Sequence, residues 1–452
     1  MSESSPASAG TAGRGAAVGL ALVLLAVTAG AIWDNLDDPG PVAPVAVVAS
    51  GHTTTVEVTM RDMRFHPDHL TVPYGDRLVI RLTNADTRRH DLVLSNGARS
   101  GSVPKSASTT MDAGVVGAPL SGWCSLPGHR QAGMVLTVAV SGAPAGPAPQ
   151  PSAAAADPTD PAAATVDPMA APPAGFTARD ATLAPAPAQR IHQVTLHVVE
   201  LEQEVAPGVR QRMWTFGGQA PGPVLRGRIG DVFDITLIND GTVEHGIDFH
   251  AGALAPDQPM RPVEPGQRIR YRFTATRAGI WMYHCSAAPM LHHVGNGMYG
   301  AVVIDPPDLA PVAREYLLVQ SELYLGPTGQ PGDLTKMLAD APDAVVFNGY
   351  LAQYAHRPLV AIAGERVRVW VLDAGPSRDS AFHIVGTVFD TVFTEGAYRL
   401  RPTDPGGAQV LALAPASGGF VELVFAQPGR YPFLSHVMVD AERGARGAVQ
   451  VG

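Results

Sequence analysis

A chain of 452 residues with a formal net charge of −9 and no basic run excludes a nucleic-acid partner, whose phosphates call for clustered Lys and Arg. Its length allows roughly two to four compact domains, and hydrophobic residues at 46% give each a core to bury. The 48 glycines and 41 prolines favour turn-rich β architecture with linkers over long helices.

Residues 1–15 form a polar tail carrying Arg14, and residues 16–33 form an apolar run of about membrane-spanning length. Asp34, Asp37 and Asp38 follow, so Arg14 marks the cytoplasmic side and everything after Trp33 is expected outside the cytoplasm. A cleaved signal peptide is the competing reading. No clean small-residue cleavage site follows Gly30, which favours an uncleaved single-pass anchor in the cell membrane.

Residues 34–52 are a Pro/Val/Ala spacer, and residues 142–189 are a longer Ala/Pro-rich stretch that should run as an extended linker without a core. Around these lies an internal repeat. PYGDRLVIRLTN from Pro73, RIGDVFDITLIN from Arg228 and IAGERVRVWVLD from Ile362 each pass from a Gly-acid turn into alternating apolar residues, a turn-to-strand signal. Later in each unit come LSGWC ending at Cys124, AGIWMYHC ending at Cys285, and PGRYPFLSH ending at His436. The reading is all-β: three related β-sandwiches in tandem at residues 53–141, 190–305 and 306–452, preceded by one transmembrane helix. Helical periodicity is weak except for a short stretch at residues 334–341.

The first unit offers His90, Cys124, His129 and Met134, the last three spaced Cys-x4-His-x4-Met. One thiolate, two imidazoles and a long thioether contact make the trigonal blue-copper set used for electron transfer. Separately, Met134 reads as core filler, His129 as a surface turn and Cys124 as a buried hydrophobe; together they are hard to obtain by chance. The two cysteines of the chain would otherwise read as one disulfide.

The second unit supplies His245, Asp248 and His250 in VEHGIDFHAG, and His284, Cys285, His293 and Met298 in HCSAAPMLHHVGNGM. Alternate residues of a strand face opposite sides, so His284 and Cys285 point apart, as do His245 and His250, while Asp248 and His250 share a face. This sorts the residues into a second blue-copper set, His245, Cys285, His293 and Met298, and an outward set of His250 and His284 beside Asp248. Two histidines leave a catalytic metal short of a ligand. In the third unit, aligning Tyr431 with Trp281 puts Ser435 where Cys285 stands, so the thiolate is lost and His436 is free for another role; His383 is a further candidate, about as readily a core histidine.

These residues carry a resemblance. RQRMWTFGGQAPGPVLR, EHGIDFHAG, YHCSAAPMLHHVGNGMYGAVVI, VVFNGY, SAFHIVGTVFDTVFTEGAY and FLSH make the stretch from about Val194 to Val451 resemble a copper nitrite reductase. Residues 53–140 separately resemble a small blue-copper protein of the plastocyanin and pseudoazurin kind. The resemblance implies Greek-key cupredoxin sandwiches, with type 1 copper on His245, Cys285, His293 and Met298 and type 2 copper on His250, His284 and a neighbouring subunit's copy of His436. It thus implies a homotrimer with two type 1 coppers and one type 2 copper per chain, the first module relaying electrons from an unidentified donor. Asp248 and His383 would deliver protons to nitrite, and Val385 would line the pocket where the family often has isoleucine. DFHAGALAP, with Gly252 and Pro256, departs from the family pattern, and the segment HVMVDAERG after His436 is slightly short. His292 adjoins His293, and the His-x4-Met spacing selects His293.

A laccase-like oxidase would need His-x-His pairs and a histidine after Cys285; Ser286 stands there and no such pair occurs. A non-enzymatic copper electron carrier would explain both blue-copper sets and leave the outward histidines without a purpose.

Overall fold

The computed structural model describes residues 49–126, 129–130, 133–142 and 165–452. The expected anchor and its cytoplasmic tail lie outside the described residues, among which no helix is long and apolar enough to cross a membrane.

The chain is all-β, and the sequence repeat reappears as a repeated strand order. In the first unit, one sheet runs Arg64–His66, Thr53–Arg61, Arg77–Asn84, Ser108–Val115, and the other runs His69–Pro73, Val135–Ser141, Leu120–Trp123, Val93–Leu94. The second unit repeats this with Val209–Phe216, Ile191–Ala206, Val232–Asn239, Arg268–Thr274, against Leu225–Arg228, Tyr299–Asp305, Gly279–His284, Asp248–Phe249. The third keeps the arrangement and widens it into sheets of six and five strands. In every unit the repeat strand lies parallel to the unit's first strand: Arg77–Asn84 on Thr53–Arg61, Val232–Asn239 on Ile191–Ala206, and Arg366–Asp373 on Arg314–Leu323.

The repeated Gly-acid turn has a local cause. Gly75, Gly230 and Gly364 sit at φ of 86°, 86° and 85°, where a Cβ would be strained, and each opens the parallel strand. Alternation then puts Leu78, Ile80 and Leu82, or Phe233, Ile235 and Leu237, into the space between the two sheets. A further apolar cluster joins the second and third units back to back, with Ile280, Met282 and Val303 against Leu317, Trp370 and Phe420.

The Ala/Pro-rich stretch departs from the expected extended linker in its second half. Ala181 and Leu183 are buried, Leu183 N–H donates to Glu315 O at 3.0 Å, and Leu317 N–H donates to Ala181 O at 2.8 Å. The reason is an open edge. The strand Ala344–Phe347 pairs only with residues 320–323 of Arg314–Leu323, leaving backbone groups near Tyr316 that a strap at residues 178–186 satisfies through Ala181 to Leu183. The short helix expected at residues 334–341 is present as Leu334–Leu338, capped by Asp333.

Candidate metal centres

Three clusters of metal-ligating side chains are present among the described residues, and each has its own backbone support. In the first unit, the repeat strand ends on the fully buried Asn84, whose side-chain amide donates to Arg88 O and Val103 O at 2.6 and 2.8 Å. That pins the loop in which His90 pairs with Val103. From the other side, Cys124 N–H donates to Met134 O and Met134 N–H donates to His129 O, closing the Cys-His-Met loop. His90 Nδ1 and His129 Nδ1 come within 3.1 Å of each other, with Cys124 Sγ 3.3 Å from His129 Nδ1. His90 Nε2 meets Asp86 Oδ2 at 3.1 Å, which fixes the proton on Nε2 and turns the Nδ1 lone pair toward the thiol.

The second unit builds the same set. Asn239 donates to Val243 O and Val263 O at 2.8 Å each, and His245 pairs with Val263. Cys285 N–H donates to Met298 O and Met298 N–H to His293 O. His245 Nδ1 and His293 Nδ1 are 3.2 Å apart, with Cys285 Sγ at 3.3 Å from His293 and 3.8 Å from His245. Gly246 and Ala287 N–H groups each lie 3.4 Å from Sγ, placed to stabilise a thiolate. Met134 and Met298 are fully buried in the cores that contain Cys124 and Cys285. His292 is accounted for differently: its Nε2 donates to Gly332 O at 2.8 Å, tying the ligand helix Met290–Gly295 to the loop before Leu334–Leu338.

His284 ends the strand Gly279–His284 and faces away from Cys285, as strand parity requires. Its Nδ1–H donates to Cys285 O at 2.9 Å, so Nε2 carries the free lone pair, 3.0 Å from His250 Nε2. Asp248, paired with His284 across the sheet, places Oδ2 3.9 Å from His284 Nε2 and 4.0 Å from His250 Nε2. Each cluster brings nitrogen lone pairs together at the spacing that a shared metal ion relieves, and the neutral-imidazole and thiol chemistry fits copper.

The remaining expected residues lie elsewhere in the chain. His383 and His436 lie with ring centroids 5.2 Å apart and planes tilted by 58° on the third unit, outside the Asp248 cluster. His383 Nδ1–H donates to Gln409 O at 2.5 Å, leaving Nε2 open. Val385 is exposed nearby, as are Val388, Met438 and Val439, so His436 sits in an uncovered apolar patch. Asn84 and Asn239 escaped the sequence reading, although both close the repeated Leu-Thr-Asn and Leu-Ile-Asn endings.

Burial dominates the electrostatics. It pushes both thiols up to about 12 and holds His129 down to about 3 and His245 down to about 4; His90, His293 and His250 are lowered by the same desolvation. At pH 7 the imidazoles are therefore already neutral and the thiols still protonated. Loading either thiolate set with copper(II) is expected to release about one proton, from sulfur alone. Calorimetric titration in buffers of different ionisation enthalpy measures it, and zero release would show that the thiols ionise before metal arrives.

Residues 197–309 match the Multicopper oxidase family model and residues 21–115 the Cupredoxin-like domain model. The chain is 35% identical over 276 residues to the copper-containing nitrite reductase of Neisseria meningitidis serogroup A, covering 57% of this chain and 69% of that one. It is 34% identical to that of Pseudomonas chlororaphis, covering 54% and 74%. The copper nitrite reductase structure from Nitrosomonas europaea superposes with a TM-score of 0.54 at 34% identity, covering 58% of this chain and 94% of that one. Sequence likeness at this extent shows that the chain belongs to the copper-containing nitrite reductase family.

Proposed function

We propose that this chain reduces nitrite to nitric oxide and water, taking one electron and two protons per turnover, as three cupredoxin units in tandem. The observation that carries the reading is the His284–Cys285 step: two residues joined by one peptide bond belong to two different ligand sets on opposite faces of the sheet. Bound copper would supply one-electron transfer at the thiolate sets and Lewis-acid polarisation of nitrite at the imidazole set.

The residues divide the work accordingly. His245, Cys285, His293 and Met298 hold type 1 copper, and His90, Cys124, His129 and Met134 hold a second one in the first unit, so that two type 1 sites and one type 2 site belong to each chain. His250 and His284 supply two type 2 ligands through Nε2. The third comes from His436 of a neighbouring copy, which makes the assembly a homotrimer and covers the apolar patch around Val388 and Met438. Asp248, beside the paired Nε2 atoms, places a carboxyl that can pass a proton to a nitrite oxygen. His383, tautomer-fixed by Gln409, carries a second proton on Nε2 when protonated. Val385 shapes the apolar side of the pocket. Residues 16–33 anchor the chain in the membrane with its copper units outside the cytoplasm.

The first unit serves as a tethered relay. With a protein donor supplying electrons, Cys124→Ser is expected to lower nitrite turnover at least tenfold, while turnover with a small reductant able to reach the second unit persists. Full turnover with the protein donor would refute the relay.

A further inference from the structure

The contact between the first and second units places opposite charges on the two loops that carry the first histidine of each thiolate set. Arg88 and Arg89 immediately precede His90, and Glu244 immediately precedes His245. Arg88 Nε lies 3.4 Å from Glu244 Oε1, and Arg89 Nη2 lies 2.7 Å from Glu264 Oε2. Beside these pairs, His129 and His293 line one small cavity with Leu126, Trp214 and Ala288. Its volume is about 30 Å³, room for a water or two. His129 is 6% exposed and His293 3%, so the two thiolate sets meet through their imidazoles with almost no solvent between them.

We propose that Arg88–Glu244 and Arg89–Glu264 form an electrostatic latch that docks the first unit on the second in the orientation that passes electrons from the His129 side to the His293 side. This rests on the relay reading above and specifies its interface. The four residues are positioning residues. Their side chains keep 20 to 40% of their exposure, so salt screens the attraction and the latch can open. Opening has a use: in the docked state His129 is covered, and release would uncover it for reloading by an external donor. The apolar residues at the seam, Leu126, Trp214 and Ala288, give the contact its fit, and the charges set its register.

The test uses the full-length copper-loaded protein without nitrite. A reductant pulse delivers one electron, and its re-equilibration between the two thiolate centres is followed optically. Cys124→Ser and Cys285→Ser proteins supply the reference spectrum of each centre. Arg88→Glu with Arg89→Glu is expected to slow re-equilibration about tenfold or more, because like charges then face each other. Adding Glu244→Arg and Glu264→Arg restores the opposed signs and is expected to recover most of the rate. About 0.5 M salt, where screening acts over a few ångströms, should slow the parent protein and partly relieve the repulsion in the doubly substituted Arg-to-Glu one, so that their rates converge. Re-equilibration at the parental rate in the charge-reversed protein, or in the parent a rate indifferent to salt, would overturn the latch. No re-equilibration in the parent with both centres filled would overturn relay and latch together. Loss of nitrite turnover with re-equilibration intact would strike only the reductase reading and leave the latch supported.

Discussion

Chains carrying His250→Ala and chains carrying His436→Ala are each expected to be inactive alone and to regain nitrite reduction when co-assembled. Within one chain, His250 and His284 form a pair with Asp248, whereas His436 lies with His383 on another unit, outside that cluster. Two imidazoles leave the metal under-coordinated, and His436 is an exposed histidine amid exposed valines and a methionine. A closed ring of copies would solve both problems, since the same two patches would then meet head to tail at every interface. If each interface draws its two halves at random from an equal mixture, about one site in four receives both intact histidines, so about a quarter of parental activity should return. Mixed trimers with no recovery would place the third ligand elsewhere.

Cys285→Ser is expected to abolish the blue absorption of the second unit and lower turnover with a protein donor by about 100-fold or more. Partners that merely orient a ligand cost about 10- to 100-fold when removed, and Cys285 is itself a ligand candidate. Its sulfur sits fully buried, 3.3 Å from His293 Nδ1, with two backbone N–H groups aimed at it. Serine's hydroxyl keeps the hydrogen bonds and loses the soft, easily ionised donor that copper in this geometry requires. The outward set should still take up copper, because His250 and His284 reach it through Nε2 from the opposite face. Retained copper there, measured by electron paramagnetic resonance, separates this outcome from unfolding.

Much of the fold was legible because the same physical constraint was written three times. A positive-φ glycine, an acid and an alternating strand recur at Gly75, Gly230 and Gly364, and the structure places all three at the start of the same parallel strand. The clusters were legible for a related reason: strand parity alone separates Cys285 from His284, and the geometry follows it. What escaped depends on neighbours distant in sequence. The strap at residues 178–186 packs because one sheet edge is left short by Ala344–Phe347, which composition does not reveal. Asn84 and Asn239 look like ordinary strand endings until the loops they tie down are seen. Arg88 and Glu244 carry no spacing signal, since each meets its partner on a different unit.

The most direct test is anaerobic production of nitric oxide from nitrite by the copper-loaded chain with a chemical reductant, run beside His250→Ala. Nitric oxide formed at about one per electron consumed, and lost in His250→Ala, is the expected result. No nitric oxide from protein whose spectra show both thiolate centres and the outward site filled would contradict it, and a pure electron carrier would then be the better description.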